Sequence, residues 1–279
     1  LTRIAKANER IVPFMAAFYI LGSLIIVIMN YDMVIPAFAS IFSHAFSMEA
    51  AAGGVGGAVI KQAITWGFKR GVFSNEAGLG SSVMVHSASN VKEPVTQGMW
   101  GIFEVFFDTI IVCTLTALVI LTTGIVDLDT GMSLSGATKL GLATEAYTKC
   151  FGSLGGIFIA VAIALFAFST VLGWSYYGTK AWEFLFGTKA TIVYKVIFIA
   201  VIVAGSALDA SLVIDLSDTF NGLMAIPNLI GVITLSGTVM AITNNYAKRK
   251  FRGDTSVRPM LSYFEDIQKE QERRLSDED

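Results

Sequence analysis

Cysteine, histidine and charge are all scarce in this chain of 279 residues. There are two cysteines and two histidines, and charged residues make up 15% of the total. Cys113 lies inside an apolar run and Cys150 at the edge of another, which makes neither a disulfide framework nor a metal site. His44 and His86 stand apart from each other and read as structural residues. Soluble domains carry roughly 25% charged residues, so this chain is poor in charge of both signs. The net charge of −2 is uninformative for nucleic acid, and no basic, aromatic-laced stretch that would bind it is present.

What is present is apolar. Hydrophobic residues make up 54% of the chain, phenylalanine alone contributes 20 residues, and the mean hydropathy is +0.64. A bilayer crossing needs roughly 20 apolar residues. By that measure residues 11–29, 95–122, 151–186, 191–208 and 216–243 are crossings. Pro13 is placed in the first turn of the first, where a missing backbone donor costs little. Residues 30–48 read as an interfacial helix, and Gly53, Gly54, Gly56 and Gly57 then loosen the chain.

Residues 55–89 make a further membrane element, too long for one straight crossing at about 1.5 Å per residue. Its centre, GFKRGVFSNEAGLGSS at 67–82, holds Lys69, Arg70, Glu76, four glycines and several small polar side chains. Lipid does not tolerate that density of polar groups, but a helix broken at 73–78 to line a polar cavity does. The expected fold class is therefore an all-α polytopic membrane protein with about six transmembrane helices, one of them discontinuous. Residues 1–247 form the transmembrane domain and 248–279 a charged tail; 124–150 reads as a polar loop. The opening residues run straight into a hydrophobic span, which reads as the interior of a longer protein and makes this a C-terminal portion.

Charge asymmetry orients the spans. Alternating crossings put Arg3, Lys6, Arg10, Lys92, Lys180, Lys189 and the basic cluster from Lys248 on one side, against Lys139 and Lys149 on the other. That places the tail in the cytoplasm and the protein in the plasma membrane.

The polar residues at mid-span carry the chemistry. A break in FSNEAG exposes backbone N–H groups, which suit a carboxylate, and carbonyls, which suit a cation or an ammonium. With Ser74 and Asn75 this describes a zwitterion site with a cation nearby, while Gly78 and Gly80 permit unusual dihedrals. A tightly packed glycine-rich crossing is the competing reading. GLGSS is no phosphate loop, because it lacks the Lys-Ser/Thr ending and follows a helix. Asp108, with Glu104 one turn earlier, is an ionisable group at membrane depth: a sodium ligand, a proton-linked group, or a structural partner for Arg70 or Lys69. Ser169 and Thr170 offer adjacent hydroxyls suited to a hard cation, although such hydroxyls are also ordinary helix-packing residues. Trp174 lies one turn beyond Thr170. Near the last crossing, Asp218 is a candidate to pair with Arg70 as an outer gate, and Pro227 is expected to kink the helix between Asn221 and Asn228. An intramembrane enzyme using Asp108 or Glu76 would need a second catalytic carboxylate or a Ser–His pair, and neither is evident; a channel subunit is a further alternative.

GFKRGVFSNEAGLGSS, EVFFDTIIVCTLTALVI, FSTVLGWSYYG and FNGLMAIPNLI, in that order, resemble the alanine/glycine:cation symporter family, the sodium–alanine symporters of bacteria and archaea. The resemblance runs over about residues 4–243. It implies a leucine-transporter-type inverted-repeat fold, of which this chain supplies the last helix of repeat one and all of repeat two. It further implies that Phe73, Ser74, Asn75 and Gly78 touch an amino acid, that Thr170 and Trp174 close the pocket, and that Ser169 and Thr170 hold sodium. Asp108 is a candidate for a second sodium ligand. The implied function is symport of a small neutral L- or D-amino acid with sodium by alternating access. Sodium is then a co-transported ion and no cofactor is implied; proton coupling is the alternative. Four helices of the family's pattern, including its first broken helix, have no counterpart in this sequence.

Overall fold

The computed structural model describes residues 2–46, 65–67, 69–137 and 140–278. Its helices are α1 (Thr2–Met29), α2 (Val34–Phe46), α3 (69–75), α4 (Val83–His86), α5 (Pro94–Phe106), α6 (Thr114–Thr122), α7 (Leu140–Phe151), α8 (Ser153–Phe186), α9 (Thr191–Ser206), α10 (Ala210–Lys250) and α11 (Glu265–Glu278). A π-helical stretch, Phe107–Cys113, joins α5 to α6. Among the described residues, five helical stretches are long and apolar enough to cross a bilayer: Asn8–Met29, Pro94–Thr122, Ser153–Phe186, Thr188–Ser206 and Ala210–Lys250. This is an all-helical, polytopic membrane architecture. Residues 55–64 of the expected broken crossing, and the glycines at 53–57 expected to loosen the chain before it, lie outside the described residues.

The chain divides into two units. The first comprises residues 1–68 and 108–201, the second 69–107 and 202–279.

In the first unit, α1 packs against α6 and α8, and α7 packs against α8. The core is Tyr19, Ile26, Val119, Ala146, Tyr147 and Ile159 with their neighbours. Hydroxyls are buried among these apolar residues because each finds a partner. Ser23 donates to the Tyr19 carbonyl at 2.7 Å and meets the Tyr147 hydroxyl at 2.5 Å; the Tyr19 hydroxyl meets Thr116 at 2.7 Å. Gly22 permits the close approach of α1 to α8, since a Cβ there would lie 2.3 Å from the Phe158 ring.

Two expectations need correction in this unit. Pro13 does not sit in a first turn: helix α1 begins at Thr2, so the proline is interior and the helix passes through it. Nor is 124–150 a loop throughout. A short hairpin closes through the Val126–Ser133 bridge, and α7 follows, held by burial of Ala146 and Tyr147.

In the second unit, α5 packs on α10. Asp209 caps α10 by accepting the backbone N–H groups of Ser211 (2.8 Å) and Leu212 (3.4 Å). Lys248, Arg249 and Lys250 in the last turn complement the helix dipole. Pro227 lies inside α10, which stays helical on both sides of it. Beyond α10 the chain folds back: Asn245 donates to the Arg258 carbonyl at 3.0 Å and accepts from the Met260 N–H at 3.1 Å, and Leu261 is buried.

Candidate functional site: a broken helix

Helix α3 runs through Phe73, Ser74 and Asn75, and the backbone leaves the helical path at Glu76. Glu76 has φ +54°, uncommon for a residue with a Cβ; Gly78 follows at +91° and Gly80 at +80°. The non-helical segment is therefore 76–82, about three residues later than the sequence pattern places it. Asn75 explains the shift. Its Oδ1 accepts the Ala77 N–H at 3.0 Å, the Asx-turn geometry that ends a helix locally. The segment is closed by the Leu79 N–H donating to the Glu76 carbonyl (3.1 Å) and by the Ser81 hydroxyl donating to Glu76 Oε2 (2.7 Å). Leu79 and Ser81 are buried, while Phe73 is exposed.

The second unit surrounds this break with polar groups from other elements. Arg70, one turn before it, reaches Asp218 of α10 at 2.5 Å, the pairing that the sequence raises, and lies 5.8 Å from the Phe73 ring centre. Asn228 of α10 lies against Gly80, its Oδ1 2.6 Å from where a Cβ would stand. Sequence reasoning placed Asn228 beside Pro227 but had no signal for this contact. His86 is not solitary: Gln97 lies 2.6 Å from its Nδ1 and Glu104 3.4 Å from its Nε2. The His44 side chain lies outside the described residues.

The other candidate residues belong to the first unit. Asp108 sits in the first turn of the π-helical stretch, a feature often found at functional sites. Ser169 is buried, its hydroxyl donating to the Phe166 carbonyl at 2.9 Å and lying 3.5 Å from Met15 Sδ of α1. Thr170, its neighbour, instead lines a cavity of about 570 Å³ with Tyr19, Thr116, Ala143 and Phe166. The adjacent hydroxyls therefore occupy different settings, as successive residues on a helix do when 3.6 residues make a turn. Trp174 meets Tyr177 edge-on at 5.7 Å. Phe73, Ser74, Asn75 and Gly78 thus share one unit, and Asp108, Ser169, Thr170 and Trp174 share the other.

Comparison with known proteins adds a family. The profile of the sodium:alanine symporter family matches residues 1–259. The chain is 44% identical over 243 residues to the sodium/alanine symporter AgcS of Methanococcus maripaludis, covering 87% of this chain and 52% of that protein. It is 36% identical over 255 residues to the amino-acid carrier protein AlsT of Bacillus subtilis, covering 91% and 52%. It is 35% identical over 268 residues to the probable sodium/glutamine symporter GlnT of the same bacterium, covering 96% and 53%. The chain spans about half the length of the curated relatives it matches. The family is one of transporters and not of enzymes, and membership accounts for the five helices, among the described residues, that are long and apolar enough to cross a membrane. This chain belongs to the sodium:alanine symporter family.

Proposed function

We propose that the protein containing this chain is a sodium-coupled symporter of small neutral amino acids, such as alanine or glycine, in the plasma membrane. One observation carries the reading: within a sodium:alanine symporter family chain, the backbone leaves its helical path over 76–82, between α3 and α4, with left-handed dihedrals at Glu76, Gly78 and Gly80. Discontinuous helices serve transporters in this way, with N–H ends toward a carboxylate and carbonyl ends toward a cation.

In this reading the fold is the leucine-transporter type, with α1 as the last helix of repeat one, the broken element as the sixth helix and α8 as the eighth. Phe73, Ser74, Asn75 and Gly78 touch the amino acid from one side. Thr170 and Trp174 close the pocket, the indole limiting side-chain size. Ser169 and Thr170 hold sodium, with Asp108 as a candidate second ligand. Sodium orders the broken helices, the amino acid completes the site, and a rocking bundle changes which face is open. The charged tail lies in the cytoplasm. Proton coupling is the alternative to sodium coupling.

The test uses the full-length protein. Asn75→Ala and Trp174→Ala are each expected to abolish alanine binding while membrane expression stays normal. Unaltered alanine affinity in both variants would refute the site.

A further inference from the structure

Asn228 is an unusual residue to find near the midpoint of α10, in the sequence AIPNLIGVI. A carboxamide offers one acceptor and two donors, and Asn228 is half-buried. Yet the Asn228 side chain makes no hydrogen bond among the described residues. Its position is not arbitrary. The side chain lies flat against Gly80, with Oδ1, Cγ and Cβ at 2.6, 2.9 and 3.3 Å from the place a Cβ would occupy. Gly80 has φ +80° and belongs to the helix break. Any other residue at position 80 would push the amide aside. The preceding residue, Pro227, has no N–H, which withdraws the donor that the Leu223 carbonyl would otherwise take. Two interrupted backbones, one in the broken helix and one in α10, thus flank a single amide with unused hydrogen-bonding capacity.

We infer that Asn228 is a substrate-positioning residue, its carboxamide bonding the charged headgroup of a zwitterionic amino acid held at the break. The inference rests on the symporter reading and extends it to a residue of the FNGLMAIPNLI motif to which the resemblance assigns no role. A purely structural amide would be satisfied by protein partners, as Asn245 is in the same helix, where both ends of the carboxamide are engaged. Asn228 differs from Asn245 in that respect, and in facing the segment whose backbone polar groups are themselves exposed by the break.

The experiment measures sodium-driven alanine uptake by the full-length protein in liposomes, with the detergent-solubilised protein's thermal stability read in parallel. Asn228→Ala is expected to raise the KM for alanine about tenfold, equivalent to ~1.4 kcal/mol, with the maximal rate within about twofold of the parent. Asn228→Asp preserves shape and so guards against a folding failure. It places a negative charge against a zwitterion and is expected to change the KM at least fivefold in one direction or the other. An unchanged KM in a stably folded Asn228→Asp protein overturns the inference while leaving the symport reading intact. Absence of alanine uptake by the parent overturns the symport reading and this inference with it.

Discussion

Arg70 of α3 and Asp218 of α10 form an ion pair at 2.5 Å, with Asp218 only 10% exposed and Arg70 41% exposed. The pair ties the half-helix before the break to α10 within the second unit. Fully buried pairs cost about 3–5 kcal/mol when one partner is removed. Half-exposure of Arg70 moderates that figure, so Asp218→Asn is expected to cost about 1–3 kcal/mol, on the scale of a stranded polar group. Thermal unfolding of the full-length protein measures it. The double variant Arg70→Gln with Asp218→Asn is expected to recover part of the loss, and purely additive losses would contradict a direct pairing.

A second clasp holds the other end of α10. Arg249 donates through both of its terminal nitrogens to the Glu93 carboxylate and through Nε to Asn245 Oδ1 at 3.0 Å. Asn245 in turn fixes Arg258 and Met260. Asn245→Ala removes three hydrogen bonds around the returning tail, each worth roughly 0.5–1.5 kcal/mol net. The expected result is trypsin cleavage after Arg252 at least about tenfold faster, a change of ~1.4 kcal/mol in local opening. Cleavage at the parental rate would show that the tail is held by something else.

Gly22 tests the packing of the first unit. Phe158 fills the space beside it and is stacked on both sides, 4.4 Å from Phe18 and 5.1 Å from Tyr147, so the ring has little room to swing. Gly22→Ala is expected to destabilise by about 1–3 kcal/mol through overpacking, read as a lower Tm. Phe158→Leu in the same protein is expected to relieve part of that loss. A Gly22→Ala protein with parental Tm would contradict the close approach.

Asp127 carries a pH prediction. The N–H of Thr130, first, and the Thr130 hydroxyl hold its carboxyl below the ordinary carboxylate value of 3.8. A lowered folded-state pKa means that the turn is stabilised above the unfolded value and loses that stabilisation as pH falls through the folded one. Backbone hydrogen exchange at Asp129 and Thr130, corrected for intrinsic rates, is therefore expected to stay constant near neutrality and to accelerate below pH 3.8. Constant protection through that range would contradict the carboxylate's role.

The broken helix was legible from composition, because Lys69, Arg70, Glu76 and closely spaced glycines cannot coexist in lipid-facing helix. Its exact start was not, since Phe73 and Ser74 are compatible with a helix and the stop comes from one side-chain hydrogen bond at Asn75. Helix α7 was hidden by its polar residues, although Leu142, Ala143, Ala146 and Tyr147 carry a helical apolar stripe into the core. The π-helical turn at Asp108 has no sequence signature, as it reflects packing rather than propensity. The Arg70–Asp218 pair was accessible because opposite charges at membrane depth need one another. The Gly80–Asn228 contact was not, because a glycine and an amide carry no mutual charge to announce it.

Sodium-coupled transport of a small neutral amino acid is the function proposed for the protein containing this chain. Its most direct test is radiolabelled alanine uptake by the full-length protein in liposomes, with external sodium replaced by choline. The symporter account predicts saturable uptake in sodium and its loss in choline, and alanine uptake that is unchanged in choline would contradict it.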